Sequence, residues 1–106
     1  MTPDARFTAI LDDLKMLGVT QSSMFGKRGM QADGKVFGRI LDDAMSFKLG
    51  EGTKELSDAL ALEGAELWDG HNDGHPFKGW VRVPEAHADQ WGRLAEIALR
   101  QLRQKL

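Results

Sequence analysis

The sequence predicts a two-layer α+β domain in which helices cover one face of an antiparallel sheet. Three observations carry the prediction. Residues 3–17 and 85–106 place apolar side chains at helical spacing. Residues 23–50 alternate, carry spaced glycines and break at Asp33-Gly34 and Asp42-Asp43, as a strand meander does. A shorter helical stretch after Thr53 separates that meander from two further strand-like runs. The predicted order is α-β(3)-α-β(2)-α, with helices on one face, in a single domain over residues 1–106.

The first helix has a complete start signal. Thr2 can cap it, Pro3 suits the first helical position, and Asp4 favours the positive end of the dipole. Phe7, Ile10, Leu11, Leu14 and Leu17 then form one stripe, and Gly18 stops it. Val19 to Ser22 reads as a connector.

Three strands follow, over Ser23–Gln31, Lys35–Leu41 and Ala44–Gly50. A two-residue Asp42-Asp43 turn pairs Ile40 with Met45 and Gly38 with Phe47. Val36, Ile40, Met45, Phe47 and Leu49 then share the helix-side face, and Phe37, Arg39, Leu41, Ser46 and Lys48 take the other. The first turn has two readings. A two-residue Asp33-Gly34 loop puts Lys27 and Gln31 on the apolar face. A three-residue Ala32-Asp33-Gly34 loop puts Met24, Gly26, Arg28 and Met30 there instead. One residue of slip exchanges the faces, so burial favours the three-residue loop, with Arg28 opposite Gly38.

Thr53 caps a second helix to about Leu62, with Leu56, Ala59 and Leu60 inward, and Gly64 ends it. The fourth strand is Ala65–Asp69, and the fifth is Phe77–Val83, stopped by Pro84. Helix three runs from Glu85 to the end of the chain. Its stripe is Trp91, Leu94, Ala95, Ala98 and Leu102, widened by Leu99 and Leu106.

Alternation assigns Phe77, Gly79, Val81, Val83 and Leu67 to the helix side. The opposite face then collects Phe25, Phe37, Leu41, Trp68 and Trp80, with Lys27, Arg39, Lys48, Lys78 and Arg82 among them and Glu66 as the acid. An antiparallel sheet can leave one face wet, and basic stems routinely cover apolar surface. Five large apolar side chains are nonetheless more than a wet face needs, and a contiguous patch marks an interaction surface. The sequence leaves three occupants open. A protein partner, first of all a second copy, ranks highest; Phe25, Phe37, Trp68 and Trp80 would anchor it, and Arg39, Lys48, Lys78 and Arg82 would orient its acidic groups. Cover by the chain's own ends comes second. Single-stranded nucleic acid or another anionic ligand comes third.

Composition sets the outer limits. The chain of 106 residues is 28% charged and 42% hydrophobic, an ordinary globular balance. It has no cysteine, which excludes disulfides and thiol chemistry. Its net charge of −2 gives no global attraction for polyanions. Residues 51–75 hold seven acidic residues against one lysine, so the charge is unevenly spread. No apolar run is long enough for a membrane span, and no membrane partner is expected.

Little in the chain points to catalysis. His71, Asp73 and His75 sit at alternate positions of a glycine-containing loop and could ligate a metal, the basis of a metal-dependent enzyme as a further alternative. The same spacing describes a plain turn, and no third imidazole lies near. His87 reads as a packing or surface residue. The serines lack a nucleophile-elbow context, and the Asp12-Asp13 and Asp42-Asp43 pairs diverge. The expectation is a non-enzymatic domain with no cofactor, no catalytic residue and no metal site.

The stretch "MFGKRGMQADGKVFGRILDDAMSFKLGEG" resembles the TfoX N-terminal domain family. Met24, Phe25 and Gly26 match its opening; Gly29, Met30, Asp33, Gly34, Phe37, Phe47 and Lys48 follow in its order. Trp80, Arg82, Val83 and Pro84 in "GWVRVPEAHADQ" look like the family's last strand, which ends in Val-Pro before the final helix. Lys27 and Arg28 stand where the family has a glycine and often an aromatic residue. The resemblance implies a two-layer domain similar in architecture to type III secretion chaperones and YjbR-like proteins. It also implies a bacterial, cytoplasmic, regulatory setting without catalytic residues. TfoX proteins carry a second, C-terminal domain, whereas the sequence ends at Leu106, so the expectation is a stand-alone TfoX N-terminal-like domain.

Overall fold

A computed structural model describes residues 2–24, 27–69, 74 and 76–104, with backbone alone for Met24 and Lys27. Helix α1 spans Pro3–Leu14. The Thr2 hydroxyl accepts the Ala5 N–H at 3.1 Å, the expected cap. Phe7 and Leu14 are buried. The backbone then tightens into a 3-10 turn, Lys15–Leu17, closed by Gly18 at φ 88°. At three residues per turn Leu17 rotates off the stripe and is exposed, against the prediction.

The predicted first strand is two strands. β1 (Thr20–Met24) and β2 (Lys27–Ala32) pair antiparallel, with Met24 opposite Lys27. The predicted connector thus supplies most of an edge strand, and Val19 before it is buried. β3 (Lys35–Ile40) follows a two-residue turn, not the three-residue loop, since Ala32 faces Lys35. Asp33 (φ 54°) and Gly34 (φ 78°) are both left-handed, the signature of the hairpin turn that matches strand twist. The missing residue of offset appears further along. Gln31 faces Val36 while Met30 faces Gly38, so Phe37 is an extra residue, a β-bulge. Met30 therefore does face the helices, as predicted, but through the bulge, and Gly38 stands opposite Met30 rather than Arg28.

β4 (Ala44–Lys48) pairs with β3 in the predicted register, Ile40 with Met45 and Gly38 with Phe47. Helix α2 (Lys54–Leu60) is capped by Thr53, whose hydroxyl accepts the Leu56 N–H at 3.1 Å. β5 is only Glu66–Leu67, and β6 is Trp80–Pro84, both shorter than predicted. Phe77 to Gly79 form a turn instead of strand, because Gly79 takes φ 81° and the Trp80 N–H bonds back to the Phe77 carbonyl at 3.2 Å. A 3-10 segment, Glu85–Gln90, precedes helix α3 (Trp91–Gln104). The helix starts at Trp91 and not at Glu85 because His87 is non-helical (φ −111°, ψ 27°).

The six strands form one antiparallel sheet in the order β1-β2-β3-β4-β6-β5. The architecture is α+β, with four strands before α2 where three were predicted. Among the described residues, buried apolar side chains cluster between helices and sheet, including Phe7, Phe37, Phe47, Val81, Val83, Trp91 and Leu94. The Trp91 indole N–H donates to the Val83 carbonyl at 3.2 Å, which ties the start of α3 to β6. Leu67 lies opposite Val81, on the helix side, but on the outermost strand it remains exposed. None of the described helices is long and apolar enough to cross a membrane.

Candidate interaction face of the sheet

The face turned away from the helices is organised in cross-strand rows. Arg39 on β3 stands opposite Ser46 on β4, Ser46 opposite Arg82 on β6, and Arg82 opposite Glu66 on β5. One rung further on, Lys48 stands opposite Trp80. Trp68 follows β5 directly, and its N–H donates to the Trp80 carbonyl at 3.1 Å. The hydrogen bond brings the two indoles together, with centroids 5.1 Å apart at 52°. Phe77 meets Trp68 edge-on at 5.2 Å. It was predicted on the helix side; the turn at Gly79 carries it to the tryptophans instead. Both tryptophans are half-buried.

Strand register therefore brings together Arg39, Lys48, Trp68, Trp80 and Arg82 of the predicted face, with Glu66. It does not bring Phe37. That side chain is fully buried and lines a narrow cavity with Ala98, Gln101 and Leu102 of α3. The bulge is the cause: an extra residue reverses the alternation, so β3 turns Phe37 toward the helices and leaves Val36 half-buried on the other side. Lys78 is also misplaced by alternation, being exposed in the turn before β6. Leu41 is half-buried and borders a depression lined by Thr2, Pro3, Asp4, Arg28 and Ile40. Phe25 lies outside the described residues, as does the Lys27 side chain.

Two features escaped sequence reasoning. The Arg82 guanidinium reaches the Asp43 carboxylate at 2.7 Å, which fixes its direction along the face. Ser46 is fully buried although it points away from the helices. Its neighbours in the row are Arg39 and Arg82. Its hydroxyl has no hydrogen-bond partner among the described residues.

The proposed metal loop, His71, Asp73 and His75, lies outside the described residues. Among the described residues no group of three or more His, Asp or Glu could hold a metal ion. His87 Nε2 lies 2.8 Å from the Glu63 carbonyl, so it donates its proton to backbone and links the 3-10 segment to the end of α2. No family model, curated protein or solved structure matches the chain.

Proposed function

We propose that this chain is a non-enzymatic binding domain of regulatory type. It acts through protein–protein contacts on the outward sheet face, and its first partner is a second copy of itself. One observation carries the reading: two half-buried indoles, 5.1 Å apart, share one face of an antiparallel sheet with Lys48, Arg82 and Arg39. Indole and guanidinium are the groups most enriched where protein interfaces concentrate their binding energy. The order of Met24-Phe25-Gly26, Asp33-Gly34, Phe37, Phe47-Lys48 and Val83-Pro84 supports a place beside the TfoX N-terminal domains, hence a bacterial cytoplasmic setting.

Sedimentation equilibrium over a wide concentration range tests the reading. The expected result is a monomer–dimer equilibrium that Trp80→Ala shifts strongly to monomer while the far-ultraviolet spectrum stays native. A wild-type chain that remains monomeric at the highest concentration overturns the self-association.

The same indoles beside cations also suit stacking of single-stranded nucleic acid. Oligonucleotide titration with tryptophan fluorescence separates the two readings. Binding at low salt that disappears at raised salt supports the nucleic-acid reading, and no change at low salt ends it.

A further inference from the structure

The two edges of the sheet are built differently. β5 forms one edge with only Glu66 and Leu67, the first of them charged. Short length and charge are common means of keeping another chain from pairing with an edge. β1 forms the other edge with Thr20–Met24, a run with no charge and no proline. Its pairing with β2 runs from Thr20 to Met24 without a bulge. Among the described residues no backbone hydrogen bond reaches β1 from any element except β2. Alternate residues of an antiparallel strand turn both N–H and C=O away from the neighbour. β1 therefore offers donors and acceptors, repeating about every 7 Å, along a free margin.

We propose that β1 is a docking strand whose occupant is an extended segment of another protein, added antiparallel as a further strand of the sheet. A row of alternating backbone donors and acceptors is matched by another extended backbone. The side chains of β1 do not stand in its way. Thr20, Gln21 and Ser23 are exposed. The side-chain bonds of the first two run inward to β2: Gln31 Nε2 donates to Thr20 Oγ1 at 3.3 Å, and Arg28 donates to Gln21 Oε1 at 3.4 Å. The side chains are engaged toward β2, while the backbone margin stays open.

The chemistry of β1 selects the partner. Antiparallel pairing with a second copy, centred on Ser22, would set Gln21 against Ser23 and Thr20 against Met24, with no aromatic pair and no opposite charges to hold the strands. A foreign segment rich in Val, Ile, Thr or aromatic residues brings larger side chains to these small neighbours. In the antiparallel sense its C-terminal end reaches Thr20. Just before β1 the chain exposes Met16 and Leu17, at 96% and 51%. Arg103 fixes this corner, donating to the Leu17 carbonyl at 2.6 Å and to the Asp33 carboxylate at 3.2 Å. An apolar residue at the C-terminal end of the incoming strand has that corner to cover. The site is separate from the outward face, since neither Trp68 nor Trp80 belongs to it.

Short peptides selected on the full chain from a random displayed library, then synthesised, test the docking strand. They should be rich in β-branched and aromatic residues and carry an apolar residue at the C-terminal end. In amide spectra of the chain they should shift Thr20–Met24 and slow hydrogen exchange at alternate residues of β1. Methylating the peptide's backbone nitrogens one at a time reads the pairing directly. Binding should weaken about tenfold or more at every second position and stay within about twofold at the positions between, because only one set of N–H groups faces β1. Trp80→Ala should bind the peptides as wild type does, whatever becomes of its self-association. A methylation profile without the two-residue period overturns the strand addition. So do peptides that shift only Trp68 and Trp80, and so does a library that yields no binder. Protection of β1 amides that rises with the concentration of the chain alone would make the occupant a second copy and overturn the partner proposed.

Discussion

Arg28 holds its guanidinium carbon 4.7 Å from the centroid of the Phe7 ring. The same group reaches the Asp4 carboxylate at 2.6 Å. One side chain of β2 therefore fastens the first two turns of α1 to the sheet, by ring stacking and by an ion pair. Asp4 is largely exposed, so the ion pair itself contributes little. Arg28→Ala should cost about 1–2 kcal/mol, most of it from the stacked contact. Arg28→Lys should recover only part, because an ammonium cannot stack flat and fork at once. Urea unfolding measures both, and an unchanged midpoint for the alanine variant would show the clamp to be idle.

Phe37 and Val36 are neighbours with opposite surroundings. The first is fully buried under α3, and the second is half-buried on the far side. Phe37→Ala should cost about 3–5 kcal/mol, the usual range for emptying a phenyl site in a core. Val36→Ala should cost about 1 kcal/mol or less, because that position loses little buried area. Equal losses, or the reverse order, would contradict the bulge.

Gly79 and Gly34 both have positive φ, at 81° and 78°. A methyl at Gly34 meets nothing within 4 Å, whereas at Gly79 it comes to 2.9 Å of the Glu51 backbone nitrogen. Gly34→Ala should therefore cost about 1–2 kcal/mol from conformation alone. Gly79→Ala adds a collision with backbone that cannot step aside, and should cost clearly more. Thermal unfolding of the two variants side by side gives the ranking; equal melting points would refute the close approach.

Ser46→Ala should be neutral or slightly stabilising. It removes a buried hydroxyl that has no partner among the described residues, and leaving such a group unsatisfied costs about 1–3 kcal/mol. Guanidinium unfolding is the measurement. A loss above about 1 kcal/mol would mean that the hydroxyl is satisfied after all.

The helix starts were legible because capping is local chemistry. Thr2 and Thr53 each accept the N–H three residues on, and Gly18 closes the turn after α1. The β3–β4 pairing was legible because a two-residue turn fixes register. The β2–β3 hairpin was not. Burial required a one-residue offset, and the choice lay between a longer turn and a bulge. Sequence reasoning placed the offset in the turn, and the chain places it at Phe37. Met30 came out on the correct side either way, whereas Phe37 did not. β1 was missed because Thr-Gln-Ser-Ser lacks the apolar alternation that marks a strand. At the candidate face, alternation found Arg39, Lys48, Trp68, Trp80 and Arg82 wherever strands run straight. It failed at Lys78 and Phe77, where one left-handed glycine delays the start of β6.

Phe37 is also a spare link. The rungs on either side of it, Met30 with Gly38 and Gln31 with Val36, would follow one another regularly were it absent. A chain shortened by that one residue could keep every remaining side chain on its present face and forfeit only the phenyl group beneath α3. Lengthening or shortening β3 anywhere else would transpose the two faces beyond the change. The tolerance of this sheet to a change of length is therefore concentrated at a single position, and it is a core aromatic that occupies it.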